Sequence, residues 1–76
     1  MLRRFKVILE WDEEVGAYTV TVPALPGCVT QGRTVEESLE RVREAITGYL
    51  KAMKLHGESV PKHDPRMVFG EVEVSL

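Results

Sequence analysis

Residues 22–45, VPALPGCVTQGRTVEESLERVREA, decide how this chain folds, and the flanking segments arrange themselves around them. Pro26-Gly27 fits the two central positions of a type II turn, where proline presets φ and glycine supplies a positive φ. Residues 28–31 then form a short strand. Gly32 stands where that strand must swing into a helix, which predicts a left-handed backbone at that corner. Thr34, followed three residues later by Glu37 and then by an apolar-periodic run, has the spacing of a capping box. The stretch therefore reads as strand end, turn, strand, corner and helix start, and the rest of the sheet must come from the segments on either side.

Upstream, Phe5, Val7, Leu9 and Trp11 alternate with Lys6, Ile8 and Glu10, the period of a strand with one buried face. Residues 12–16 are polar and end in glycine, as a hairpin loop does. Residues 17–22 form a second strand, with Tyr18, Val20 and Val22 on one face and Thr19 and Thr21 on the other; Pro23 ends it, having no N–H to donate. Downstream, Val35, Leu39, Val42, Ile46, Tyr49, Leu50 and Met53 recur at spacings of three and four, so a helix over 35–56 carries an apolar stripe. Glu36, Glu37 and Glu40 near its start and Lys51 and Lys54 near its end complement the helix dipole, and Gly57 stops it. Residues 59–66 hold Pro61 and Pro65 and form a loop. Residues 68–76 alternate again, Val68, Val72, Val74 and Leu76 against Glu71, Glu73 and Ser75, as a closing edge strand guarded by glutamates. The order is β-β-β-α-β, an α+β fold with one helix packed on one face of a small, mainly antiparallel sheet.

Seventy-six residues form one small domain, 1–76. A chain this short buries only about 60% of its unfolded surface, so self-association into a dimer or tetramer is the expected support. Ten basic against twelve acidic residues give a net charge of −2, without the basic face of a nucleic-acid binder. One cysteine, Cys28, allows no internal disulfide and suits a reducing compartment. With no apolar leader before residue 5 and no apolar run near the roughly 20 residues that span a bilayer, the expectation is a cytoplasmic protein without membrane contact.

The residues that could carry chemistry form no catalytic set. A two-metal nuclease needs acidic side chains converging from several elements. Glu10, Glu44 and Glu71 are the one set that could meet, and nothing in their spacing requires it; a solvated face is the simpler reading. His56 and His63 flank a loop without a further ligand at metal-site spacing. Cys28 follows the Pro-Gly turn with no histidine nearby and reads as a small core residue. PALPG and QGRT have glycines but neither the spacing nor the lysine of a phosphate loop. No catalytic residue, cofactor or metal is expected.

The ordered pattern Tyr18…Pro23-x-Leu25-Pro26-Gly27-Cys28…Gln31-Gly32-x-Thr34-x-Glu36-Glu37…Leu39…Glu44-Ala45-Ile46 resembles the N-terminal domain of HicB antitoxins. That resemblance spans nearly the whole chain and implies a trimmed ribonuclease-H-like fold. It also implies a task, which is to bind and silence HicA, a small messenger-RNA-cleaving toxin. Many HicB antitoxins continue into a DNA-binding domain; here the sequence closes with the last predicted strand, so DNA binding is expected to be absent. Ser38, where the family often has alanine, reads as a tolerated surface change. An antitoxin covering a cationic RNA-cleaving site would present acidic or hydroxyl-bearing surface. The Asp12, Glu13 and Glu14 loop, the Thr19 and Thr21 face, and the Glu71 and Glu73 strand are therefore the expected partner-binding residues. The competing readings are a residual nuclease-like fold with metal-dependent RNA activity, and an orphan interaction module.

Overall fold

The alternating segments pair as their periodicity demands. In the computed structural model, which describes residues 2–76, β1 (Ile8–Asp12), β2 (Ala17–Thr21) and β3 (Val29–Gly32) form an antiparallel sheet in the order β1-β2-β3. The register places Leu9 opposite Val20 and Trp11 opposite Tyr18, so the apolar face read from the sequence is one continuous face. The one helix among the described residues, α1 (Val35–Leu55), packs on that face, over β3 and β2. Between them lies the core of Val20, Val22, Ala24, Leu25, Cys28 and Val42.

The loop from β2 to β3 is tied down bond by bond. Leu25 N–H donates to the Val22 carbonyl at 2.9 Å, and Cys28 N–H to the Leu25 carbonyl at 3.0 Å. The second of these closes the Pro26-Gly27 turn, and Gly27 has a φ of 82°, as a type II turn requires. Tyr49 on α1 reaches back and donates its hydroxyl to the Pro26 carbonyl at 2.8 Å, fastening the middle of the helix to the turn.

Both helix ends are closed by local chemistry. Thr34 is the N-cap, with extended backbone, and its Oγ1 accepts from the Glu37 N–H at 3.0 Å. The Glu37 carboxylate is taken by Arg41, one turn on, at 2.9 Å, so the cap works through Thr34 rather than through a reciprocal pair. At the other end Glu58 N–H bonds to the Met53 carbonyl at 2.8 Å and Gly57 N–H to the Lys54 carbonyl at 3.2 Å. With Gly57 at a φ of 69°, this is a Schellman closure.

Four expectations are corrected. Gly32 does not adopt a positive φ; those glycines are Gly16, Gly27 and Gly57. It is glycine because α1 comes too close for anything larger, since a Cβ there would lie 2.6 Å from both the N and Cα of Ser38. Ser38 is accordingly no surface residue but fully buried, its hydroxyl satisfied by the Thr34 carbonyl at 2.7 Å. The helix face that meets the sheet also lies to one side of the predicted stripe. Ser38 and Val42 are buried and Ala45, Tyr49 and Met53 half-buried, while Val35 and Leu39 remain exposed. Finally, residues 68–76 form no strand: with no neighbouring strand in their own sheet, they are exposed throughout. The order observed is β-β-β-α, and the period-2 pattern of this last segment lacks the backbone partner that would make it a strand.

Candidate protein-binding surface

A sheet with one helix has a second face, and here no element covers it among the described residues. Alternation turns Ile8, Glu10, Thr19, Thr21, Val29 and Gln31 away from Val20 and the core. The register aligns them as two cross-strand rows, Ile8–Thr21–Val29 and Glu10–Thr19–Gln31. Thr19 and Thr21 thus stand on an open face, half-buried among their neighbours, with Val29 beside them 53% exposed.

At the hairpin end this face runs into a shallow depression of about 440 Å³, lined by Glu10, Trp11, Asp12, Glu13, Glu14 and Thr19. Four carboxylates line it and no basic residue does. Asp12 is committed to the loop itself: its Oδ1 accepts from the N–H groups of Glu14 at 3.0 Å and Val15 at 3.3 Å. Its backbone carbonyl accepts from Gly16 at 2.8 Å, which has the positive φ of 73° that the tight return requires. Held in this way, the loop leaves Glu13 and Glu14 exposed. Trp11 forms one wall, edge-on to Tyr18 with ring centroids 5.0 Å apart and an interplanar angle of 69°.

The structure therefore brings Asp12, Glu13, Glu14 and Thr19 to one place, with Thr21 further along the same face. Glu71 and Glu73 are not part of it; they lie on the unpaired segment beyond the helix. Sequence reasoning missed Glu10, Trp11 and Gln31 as members of this surface. The signal for two of them was present in the alternation, because Glu10 and Gln31 share parity with Thr19 across the register.

The other chemistry-bearing residues stay apart. Glu10 is on the open face, Glu44 is exposed on α1 and Glu71 is on the terminal segment, and among the described residues no three potential ligands are placed to hold a metal ion. Cys28 is packed in the core, where burial pushes its thiol above the ordinary value and keeps it protonated. No helix among the described residues is long and apolar enough to cross a membrane.

The class defined by this arrangement is a small α+β domain, with an ordered core on one side of its sheet and an open, acid-ended face on the other. The model of the HicB-like antitoxins of bacterial toxin–antitoxin systems matches residues 5–69, and the chain belongs to that family. It is 48% identical over 59 residues to a UPF0150 protein of Thermoplasma acidophilum, covering 78% of this chain and 84% of that one. A UPF0150 protein of Archaeoglobus fulgidus is 49% identical over 51 residues, 67% of this chain and 72% of its own. A third, from a Synechocystis species, is 37% identical over 60 residues, 79% and 75% of the two chains. An antitoxin family acts by binding, and the chain is not an enzyme.

Proposed function

We propose that this protein binds and neutralises a small, HicA-type messenger-RNA-cleaving toxin by direct protein–protein contact. The observation that carries the reading is the family match over residues 5–69, which takes in the whole of the sheet and the helix. The uncovered face and its acidic end supply a surface suited to such a partner. A protein that cleaves RNA presents cationic groups to phosphate, and an acidic surface docks on those groups with a faster and better-oriented encounter. On this reading Glu13, Glu14, Thr19 and Thr21 contact the toxin and Asp12 holds the loop that presents them, while the expected contribution of Glu71 and Glu73 is dropped, because they lie on the terminal segment away from this face. The three strands and the helix are then a trimmed ribonuclease-H-like fold kept as a binding platform in the cytoplasm. The protein works as a homo-oligomer.

The test is co-expression with a HicA-type toxin encoded in the same genome. Restored growth, together with co-purification of the two chains in a fixed ratio, is the expected result. A toxin that remains lethal and does not co-purify with this chain refutes the proposal.

A further inference from the structure

The helix leaves a second part of the molecule uncovered. Phe5, Val7 and Leu9 lie on the core side of the sheet, yet all three are only half-buried, because α1 sits over β3 and β2 rather than over β1. Beside them runs a groove of about 670 Å³ whose other wall is the flank of α1, with Leu39, Ile46 and Leu50. Leu39 is 46% exposed there. Arg3, Arg4 and Arg43 line the groove as well, Arg3 with its guanidinium 3.9 Å above the Phe5 ring. Along the same side β1 is a sheet edge, since its one strand neighbour is β2.

The chain also carries a segment with the complementary chemistry. Residues 68–76 place Val68, Val72, Val74 and Leu76 on one side of an extended segment, and their only charges are Glu71 and Glu73. Val68, Phe69 and Val72 are each close to nine-tenths exposed or more. The segment does not lie in its own groove. The molecule measures 50 × 27 × 20 Å, with a radius of gyration of 14.8 Å. A compact chain of this length would have roughly 11 Å. The connector before it is anchored where the Lys6 N–H donates to Asp64 Oδ1 at 3.3 Å, and Pro65 follows at once, biasing the exit towards extended backbone.

We propose that the groove beside β1 is filled by residues 68–76 of a second copy of this chain, each copy lending its terminal segment to the other. The lent segment adds a fourth strand to the β1 edge. Its valines and Leu76 close the apolar groove over Phe5, Val7 and the α1 flank, and Glu71 and Glu73, on the opposite side of the strand, come alongside Arg4 and Lys6, which alternate with Phe5 and Val7. A two-fold exchange satisfies both grooves at once and leaves no apolar segment projecting into water. Two such segments and the grooves they cover bury on the order of 2,000 Å², the size of a stable dimer interface. The family match ends at residue 69, so this inference rests on the chain's own terminal chemistry and is independent of any toxin.

The experiment is sedimentation equilibrium of the full chain without other proteins, with isotope-filtered NMR on a mixture of labelled and unlabelled chains. The expected result is a particle of twice the 8.6 kDa chain mass, with contacts between Val72 or Val74 of one chain and Val7 or Ile46 of the other. Val72→Asp with Val74→Asp should weaken the dimer by roughly 100-fold and leave the helical circular dichroism unchanged, because burying a charge in that groove is unfavourable. Glu71→Arg with Glu73→Arg should weaken it less, and Arg4→Glu with Lys6→Glu in the same chain should restore it. A monomer at millimolar concentration overturns the proposal, as does a dimer indifferent to the Val72 and Val74 changes. So do contacts shown to lie within one chain, and a segment that orders only when a toxin is added.

Discussion

Replacing Gly32 by alanine tests the corner where sheet becomes helix. The new Cβ would lie 2.6 Å from the N and the Cα of Ser38, and would also strike its Oγ. Ordinary carbon contacts are about 3.5–4.0 Å, so β3 and the first turn of α1 must part by about 1 Å. Two of the three atoms are backbone, and no side-chain rotation relieves them. Overpacking of this kind costs about 1–3 kcal/mol, and with the contact made against backbone the upper end applies. The alanine also narrows the unfolded ensemble, which offsets roughly 0.4–1 kcal/mol because φ at this position is not positive. The net expectation is a loss of about 2 kcal/mol, or a fall in Tm of roughly 8–16 °C for a domain of this size. Urea unfolding followed at 222 nm measures it. Gly48→Ala is the control, since a Cβ there meets nothing within 4 Å and the change should stabilise the helix by about 1 kcal/mol. Adding Ser38→Ala to Gly32→Ala should not rescue stability, because the backbone contacts remain. A Gly32→Ala protein within about 0.5 kcal/mol of wild type would refute the close-approach account.

Three further outcomes are expected. Thr34→Ala removes the acceptor of the Glu37 N–H and should cost about 1 kcal/mol in urea unfolding, whereas Thr34→Ser should keep most of it. Cys28, buried with its thiol pushed up, should react with a disulfide reagent roughly tenfold or more slowly in the folded protein than in urea. The sign of its pH dependence follows: the folded state holds the proton to higher pH than the unfolded state, so stability is full below the ordinary thiol value and declines as pH rises through it. Cys28→Ala should flatten that decline. Glu13→Lys with Glu14→Lys, which leaves Asp12 to hold the loop, should slow association with a HicA-type toxin by roughly tenfold and weaken its salt dependence; stopped-flow rates at several ionic strengths check this.

Much of this architecture was legible because its determinants are local. The two alternating segments, the Pro26-Gly27 turn, the Thr34 cap and the Gly57 stop each act within a few residues, and each appears as read. What the sequence concealed depends on approach between distant elements. Gly32 and Ser38 are six residues apart, yet their roles follow from how closely the helix axis passes the strand, a quantity no spacing rule contains. The displaced helix seam has the same origin. Leu39 fits the apolar stripe as well as Val42 does, but one faces the groove and the other the core, because α1 sits over β3 and not over β1. Residues 68–76 show the limit of periodicity. Alternation states which side of a strand is apolar and says nothing about which chain supplies its hydrogen-bonding neighbour. On the open face, the exposure of Thr19 and of the acidic loop was legible from alternation and charge, whereas Trp11 was assigned only to the buried face and proves to stand at its margin, 47% exposed.

That marginal position gives the protein an optical handle. Trp11 is the single tryptophan, half in water at the wall of the acidic depression and edge-on to Tyr18. Its emission already reflects a partly hydrated indole in the native state, so unfolding changes its surroundings less than it would for a core tryptophan. A molecule settling on the depression would strip that water and move the emission to shorter wavelength. Titrated without any label, the fluorescence of this chain reads occupancy of the open face more directly than it reads folding.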